Sequence, residues 1–146
     1  MNVPCFVRHD WLGLIARAPL TRIEALWPDD PPSFAWLRAP EIGTVMVQGR
    51  AGATGAAFNM GEVTVTRASV RLESDIVGHA LVQGRCPRKA ERAALLDALL
   101  QDPAHAGLHV RILAPLRLAE RKDADIRARR AAATKVDFFT LVRGEA

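Results

Sequence analysis

The chain has 146 residues, of which 49% are hydrophobic and 25% charged, and a formal charge of +4. That is the size of one ordinary domain, able to bury roughly 68–70% of its unfolded surface without help from a disulfide or a metal. The composition excludes a disordered tail, a collagen-like repeat and a disulfide scaffold.

No apolar run approaches the roughly 18 residues that would span a bilayer. Arg8, His9 and Asp10 come too early for a secretory signal, so a soluble, cytoplasmic protein is expected. Cys5 and Cys86 are far apart and follow no metal-binding spacing. Reduced thiols fit better than a disulfide, and the chain cannot by itself hold a four-cysteine zinc site or an iron–sulfur cluster.

In chain order, residues 9–27 predict one or two short helices. Trp11, Leu14, Ile15 and Ala18 share a face, Pro19 breaks the pattern, and Thr21 with Glu24 has capping-box spacing before Ile23, Leu26 and Trp27. Asp29, Asp30, Pro31 and Pro32 read as a turn, after which the run Phe34–Leu37 is expected to dock on the core. Strands follow at Thr44–Gln48 and Glu62–Thr66. Past Arg67 the apolar parity flips from Val63 and Val65 to Val70 and Leu72, which predicts a β-bulge near Arg67–Ser69. Ile76–Gln83 reads as a hairpin partner. A helix starts at Pro87 with Ala93, Leu96, Leu99 and Leu100 as its stripe and stops at Asp102-Pro103. Helical character returns until about Thr134, kinked or restarted at Pro115, and Val136–Val142 reads as a last strand. The expected architecture is a single α+β domain over residues 1–146, an antiparallel sheet packed with helices.

The charge is uneven. From Arg111 to Lys135 there are eight Lys or Arg against Glu120, Asp123 and Asp125. With acids interspersed and no RNP-like aromatic motif, a solvated helix face is favoured over a nucleic-acid footprint. The segment Gly49–Glu62 joins two strands and holds Arg50, Gly52, Thr54, Gly55 and Asn59. Such a loop can bring backbone N–H groups and a guanidinium to an anion, or it can be a plain glycine-rich connection. It is neither a Walker loop nor a Rossmann fingerprint, because no Gly-Lys-Ser/Thr and no helix follow. Arg50, Arg67, Arg71 and Arg85 fall in or at the ends of strands, where a shared face would suit phosphate oxygens and pairing with Glu62, Glu73 or a partner chain would suit them equally. His105 and His109 have the i, i+4 spacing of zinc ligands but Ala106 where a general-base Glu would stand, and His79 is expected to be structural.

Three blocks resemble the PhnG family, subunits of the bacterial carbon–phosphorus lyase core complex. They are Gly49–Gly55 through Asn59–Arg67, Gly78-His79 through Val82–Arg85, and Ala132–Gly144 with its Thr-Lys-Val-Asp-Phe-Phe run. The likeness covers nearly the whole chain. It implies a cytoplasmic subunit that acts with PhnI, PhnH and PhnL to replace the adenine of ATP by a phosphonate, before PhnJ, a radical S-adenosylmethionine subunit, breaks the carbon–phosphorus bond.

The resemblance implies no cofactor or metal on this chain; ATP and a phosphonate are substrates of the complex. Under that reading Arg50, Gly52, Thr54, Gly55, Asn59, Arg67 and Arg85 are expected to contact phosphate or phosphonate oxygens, by positioning and charge neutralisation. No catalytic residue is assigned. The competing reading is a structural subunit that stabilises PhnI through the glycine-rich loop and the Phe138-Phe139 strand. A homodimer is expected when the chain is isolated, with no membrane or nucleic-acid partner.

Overall fold

The computed structural model describes residues 7–28 and 31–136. Its elements are α1 (Arg8–Arg17), α2 (Leu20–Ala25), β1 (Phe34–Arg50), β2 (Ala57–Leu72), β3 (Val77–Gln83), α3 (Pro87–Gln101) and α4 (Ala114–Ala133). The strands form one antiparallel sheet in the order β1-β2-β3, and the α+β expectation is met.

Pro87 opens α3 from a first-turn position, where its missing N–H would have had no partner anyway. From Ala93 to Leu100 every residue of this helix is buried. A helix enclosed on all sides is a core helix; here α1 and the sheet both pack on it. Ala68, Val70 and Leu72 of β2 with Ala80 and Val82 of β3 form the sheet side of that core, and Trp11, Leu14 and Ile15 form the α1 side. Glycine at position 78 permits the contact: a side-chain carbon there would overlap the Ala94 carbonyl oxygen and the Ala98 backbone. Ile23 carries α2 into the core, as the sequence pattern requires.

The strands are longer than their apolar runs. Much of the glycine-rich segment expected to be a connection is strand, and the turn between β1 and β2 is confined to residues 51–56. The bulge expected in β2 near Arg67–Ser69 is absent; two bulges lie instead in β1, opposite that stretch. β2 pairs with β3 without interruption from Val65 to Arg71, whereas β1 shifts register between Trp36 and Arg38 and again between Arg38 and Glu41, opposite Val70, Ser69 and Arg67. The parity change in β2 has another cause: Val65 and Thr66 are both buried, one on each face of the ribbon. Of the Phe34–Leu37 run, Phe34 packs against the core, while Trp36 and Leu37 remain largely exposed.

A π-turn at His109–Leu113 leads directly into α4, and Pro115 sits in its first turn, where proline is tolerated. Leu116 is the one buried residue of α4. Arg17 reaches Glu120 at 2.7 Å and Arg22 grips Asp123 at 2.6 and 3.2 Å, so the first half of the helix is clamped to α1 and α2. Beyond Asp123 it is exposed on all sides. The last expected strand lies outside the described residues from Asp137 onward, and so do Phe138 and Phe139.

Candidate functional site

The two bulges in β1 do local work. Each places one extra residue in β1 against β2, and together they set both Arg38 and Glu41 opposite the outward-facing residues Ser69 and Arg67. Bulges re-aim side chains in this way because the alternation of the strand is broken once per extra residue. Arg38 Nη1 donates to Glu41 Oε2 at 2.8 Å and Arg67 Nε donates to the same oxygen at 3.2 Å. These hydrogen bonds, Arg67's first and Arg38's second, hold the Glu41 carboxyl below the usual carboxylate range.

The neighbouring row across the sheet is Arg38, Ser69 and His79, one residue from each strand. Ser69 Oγ and His79 Nδ1 lie 2.9 Å apart. His79 is held from behind: its backbone N–H donates to Asp97 Oδ2 at 2.8 Å. Asp97 is fully buried in α3 and also accepts from Trp11 Nε1 at 2.9 Å and from Arg8 at 2.7 and 3.1 Å. That hydrogen bond draws the Arg8 guanidinium further up in pKa. Arg38, Arg67, Ser69 and His79 line a cleft of about 430 Å³, whose apolar wall includes Leu12 and Ala16 of α1 and Leu81 of β3. Clefts of this size accept small organic ligands.

Of the residues expected to bind phosphate, Arg67 alone is in that cleft. Arg50, Gly52, Thr54 and Gly55 lie at the tip of the β1–β2 ribbon, where Arg50 Nη1 reaches the Gly55 carbonyl at 3.4 Å and Thr54 Oγ1 the Gly52 carbonyl at 3.5 Å. Asn59 accepts from Gln48 across the ribbon at 3.1 Å. Arg85 is in the β3–α3 turn, held in place through Thr66, which donates to the Gly84 carbonyl at 2.6 Å and accepts the Cys86 N–H at 3.1 Å. The seven residues thus fall at three places instead of one. Sequence reasoning did not single out Arg38, Glu41 or Ser69. The i, i+3 charge pair Arg38/Glu41 flanking Pro40 was the available signal.

The histidine pair at i, i+4 does not converge. His105 Nδ1 faces Asp102 Oδ2 at 3.2 Å, while His109 Nε2 faces the Leu100 carbonyl at 3.0 Å and its ring stands edge-on to Trp11.

A family profile described as "Phosphonate metabolism protein PhnG" matches residues 7–144. The chain belongs to the PhnG family. A curated relative, "Alpha-D-ribose 1-methylphosphonate 5-triphosphate synthase subunit PhnG" of Rhizobium meliloti (strain 1021), is 44% identical over 144 residues, covering 94% of this chain and 90% of the relative. The PhnG match therefore spans both the helical core and the ribbon. No helix among the described residues is long and apolar enough to cross a membrane.

Proposed function

We propose that this PhnG-family chain is an accessory subunit of a synthase that makes ribose 1-methylphosphonate 5-triphosphate in phosphonate breakdown. The reaction is a transfer in which a phosphonate replaces the adenine of ATP, and the partners are counterparts of PhnI, PhnH and PhnL in the cytoplasm, with PhnJ acting next. Family membership and the name of the relative support this reading.

The chain's own contribution is assembly, and one observation carries that: the outer part of the β1–β2 ribbon has no core behind it. Met46, Phe58 and Met60 are 52, 49 and 66% exposed. A two-stranded ribbon is marginal in water unless a face is covered, and apolar exposure of this kind marks a protein contact. Without its partners the chain covers the ribbon by pairing with a second copy.

Co-expression with the PhnI, PhnH and PhnJ counterparts, followed by mass measurement of what co-purifies, tests the reading. The native chain is expected in a complex containing all four. The double variant Met46→Lys/Phe58→Glu, whose lysine faces Glu62 across the ribbon, is expected to drop out while keeping its melting temperature within about 2 °C, since exposed substitutions rarely change stability by more than about 0.5 kcal/mol. A variant complex that forms as well as the native one refutes docking through the ribbon. In the second reading Arg50 and Arg85 contact substrate once the complex is built; loss of phosphonate-dependent adenine release in assembled Arg50→Ala or Arg85→Ala complexes would favour it.

A further inference from the structure

The cleft beside β3 lies on the opposite side of the fold's logic from the ribbon: it is built on the part of the sheet that the core supports, and nothing in the assembly reading uses it. Three features define it. First, one carboxylate oxygen pins two guanidiniums. Arg38 spends only an Nη1 donor and Arg67 only its Nε on Glu41 Oε2, so each retains other N–H donors, and the three side chains together keep a net positive charge. Second, His79 is fixed at two points, its backbone by Asp97 and its Nδ1 by Ser69, which leaves Nε2 without a partner among the described residues. Third, the same cleft continues over an apolar lining that includes Leu12 and Ala16 of α1 and Leu81, which is 54% exposed.

Arg38, Arg67 and His79 come from three adjacent strands, which are spaced about 4.8 Å apart. Donors spread in this way suit a tetrahedral head with three outward oxygens better than a planar carboxylate with two. Guanidinium donors already held in place bind such heads with little ordering cost. The apolar wall adds a place for a carbon substituent.

We propose that this cleft is a binding site for a small organic oxyanion of the phosphate or phosphonate type, its head on Arg38, Arg67 and His79 and its apolar body against Leu12, Ala16 and Leu81. The site belongs to this chain alone and does not depend on the assembly reading. It can therefore fail while that reading stands, and the reverse.

The test is an amide NMR titration of the full-length chain with phenylphosphonate, inorganic phosphate and benzoate in parallel. Phenylphosphonate is expected to shift the Ser69, His79 and Leu81 amides saturably, about tenfold more tightly than phosphate, which lacks the apolar body, or benzoate, which has a planar head. Arg67→Gln and Arg38→Gln are each expected to weaken it about tenfold. Arg71→Gln, on the same sheet face but outside the cleft, leaves it unchanged. Leu81→Ser, which keeps both guanidiniums and adds no charge, is expected to weaken phenylphosphonate about tenfold while leaving phosphate unchanged, and an amide spectrum otherwise like the native one shows for each variant that the fold is intact. No saturable shift by about 10 mM phenylphosphonate, where a Kd of about 1 mM is nearly saturated, would overturn the proposal. Equal response to all three anions, or shifts centred on Arg50 or Arg85, would overturn it too.

Discussion

Asp97 joins three elements through one side chain. Its two oxygens accept from Arg8 and Trp11 of α1 and from the His79 backbone N–H of β3, while the residue itself sits in the middle of α3 with no exposure to solvent. A buried carboxylate is tolerable only with its acceptor sites filled, and removing it leaves the donors stranded. Asp97→Ala is therefore expected to cost about 3 kcal/mol, less than the upper range for a fully buried pair because Arg8 is partly solvated. For a domain of this size that lowers the melting temperature by about 10 °C. A thermal melt shifted by less than about 2 °C would show that packing alone holds α1 on the helix. None of this could be read from the sequence. Within Leu95-Leu96-Asp97-Ala98-Leu99 a single acid looks like the polar side of an amphipathic helix, and its burial depends on α1 and the sheet closing over α3 from both sides. The cleft was hidden for the same reason: Ser69 and His79 become neighbours only through the β2–β3 register.

At the scale of elements the local patterns were informative wherever one face decided the outcome. The apolar stripe of α1, the proline start of α3 and its stop near Asp102 all follow from periodicity and from the chemistry of proline. The bulges of β1 were not legible: the parity change near Arg67 comes from the burial of Val65 and Thr66 on opposite faces of β2, and it carries no information about extra residues in the neighbouring strand. α4 shows how a polar helix is held. Arg22 of α2 forms a two-pronged hydrogen bond with Asp123, and that bond, assisted by the charges of Arg22 and Arg127, lowers the Asp123 pKa. A carboxylate with a lowered folded-state pKa contributes stability above its unfolded value and loses it as pH falls through the folded value. The clamp between α2 and α4 should thus persist as pH drops through the usual carboxylate range and open only in more acid solution. Carboxyl-carbon NMR gives the check: the Asp123 titration midpoint is expected to rise in Arg22→Gln. An unchanged midpoint would remove Arg22 as the cause.

The whole molecule is a small core with two projections, and composition concealed this because a ribbon rich in valine and methionine looks like core sequence. The structure separates the two uses of apolar residues. Among the described residues, no fully buried apolar side chain occurs between Ile23 and Val65. The outer ribbon extends roughly 20–25 Å beyond Thr44 at strand rise and adds nothing to the interior that α1, α3 and the inner sheet enclose. Its sequence is therefore free to serve a partner. Val45 pairs directly with Val63, so replacing Met46–Glu62 by Asn-Gly would close the ladder with a two-residue hairpin turn of the favoured type. The shortened chain is expected to melt within about 3 °C of the full one, because the residues removed lie outside the core cluster and loop shortening slightly favours the folded state. It is also expected to lose co-purification with the other subunits and any self-association. Calorimetry and sizing of the same preparation read both effects. A shortened chain that fails to fold would mean that the ribbon supports the inner sheet, and one that still assembles would move the docking surface to the cationic outer half of α4. Folding retained with assembly lost is the outcome that a core built without the ribbon requires.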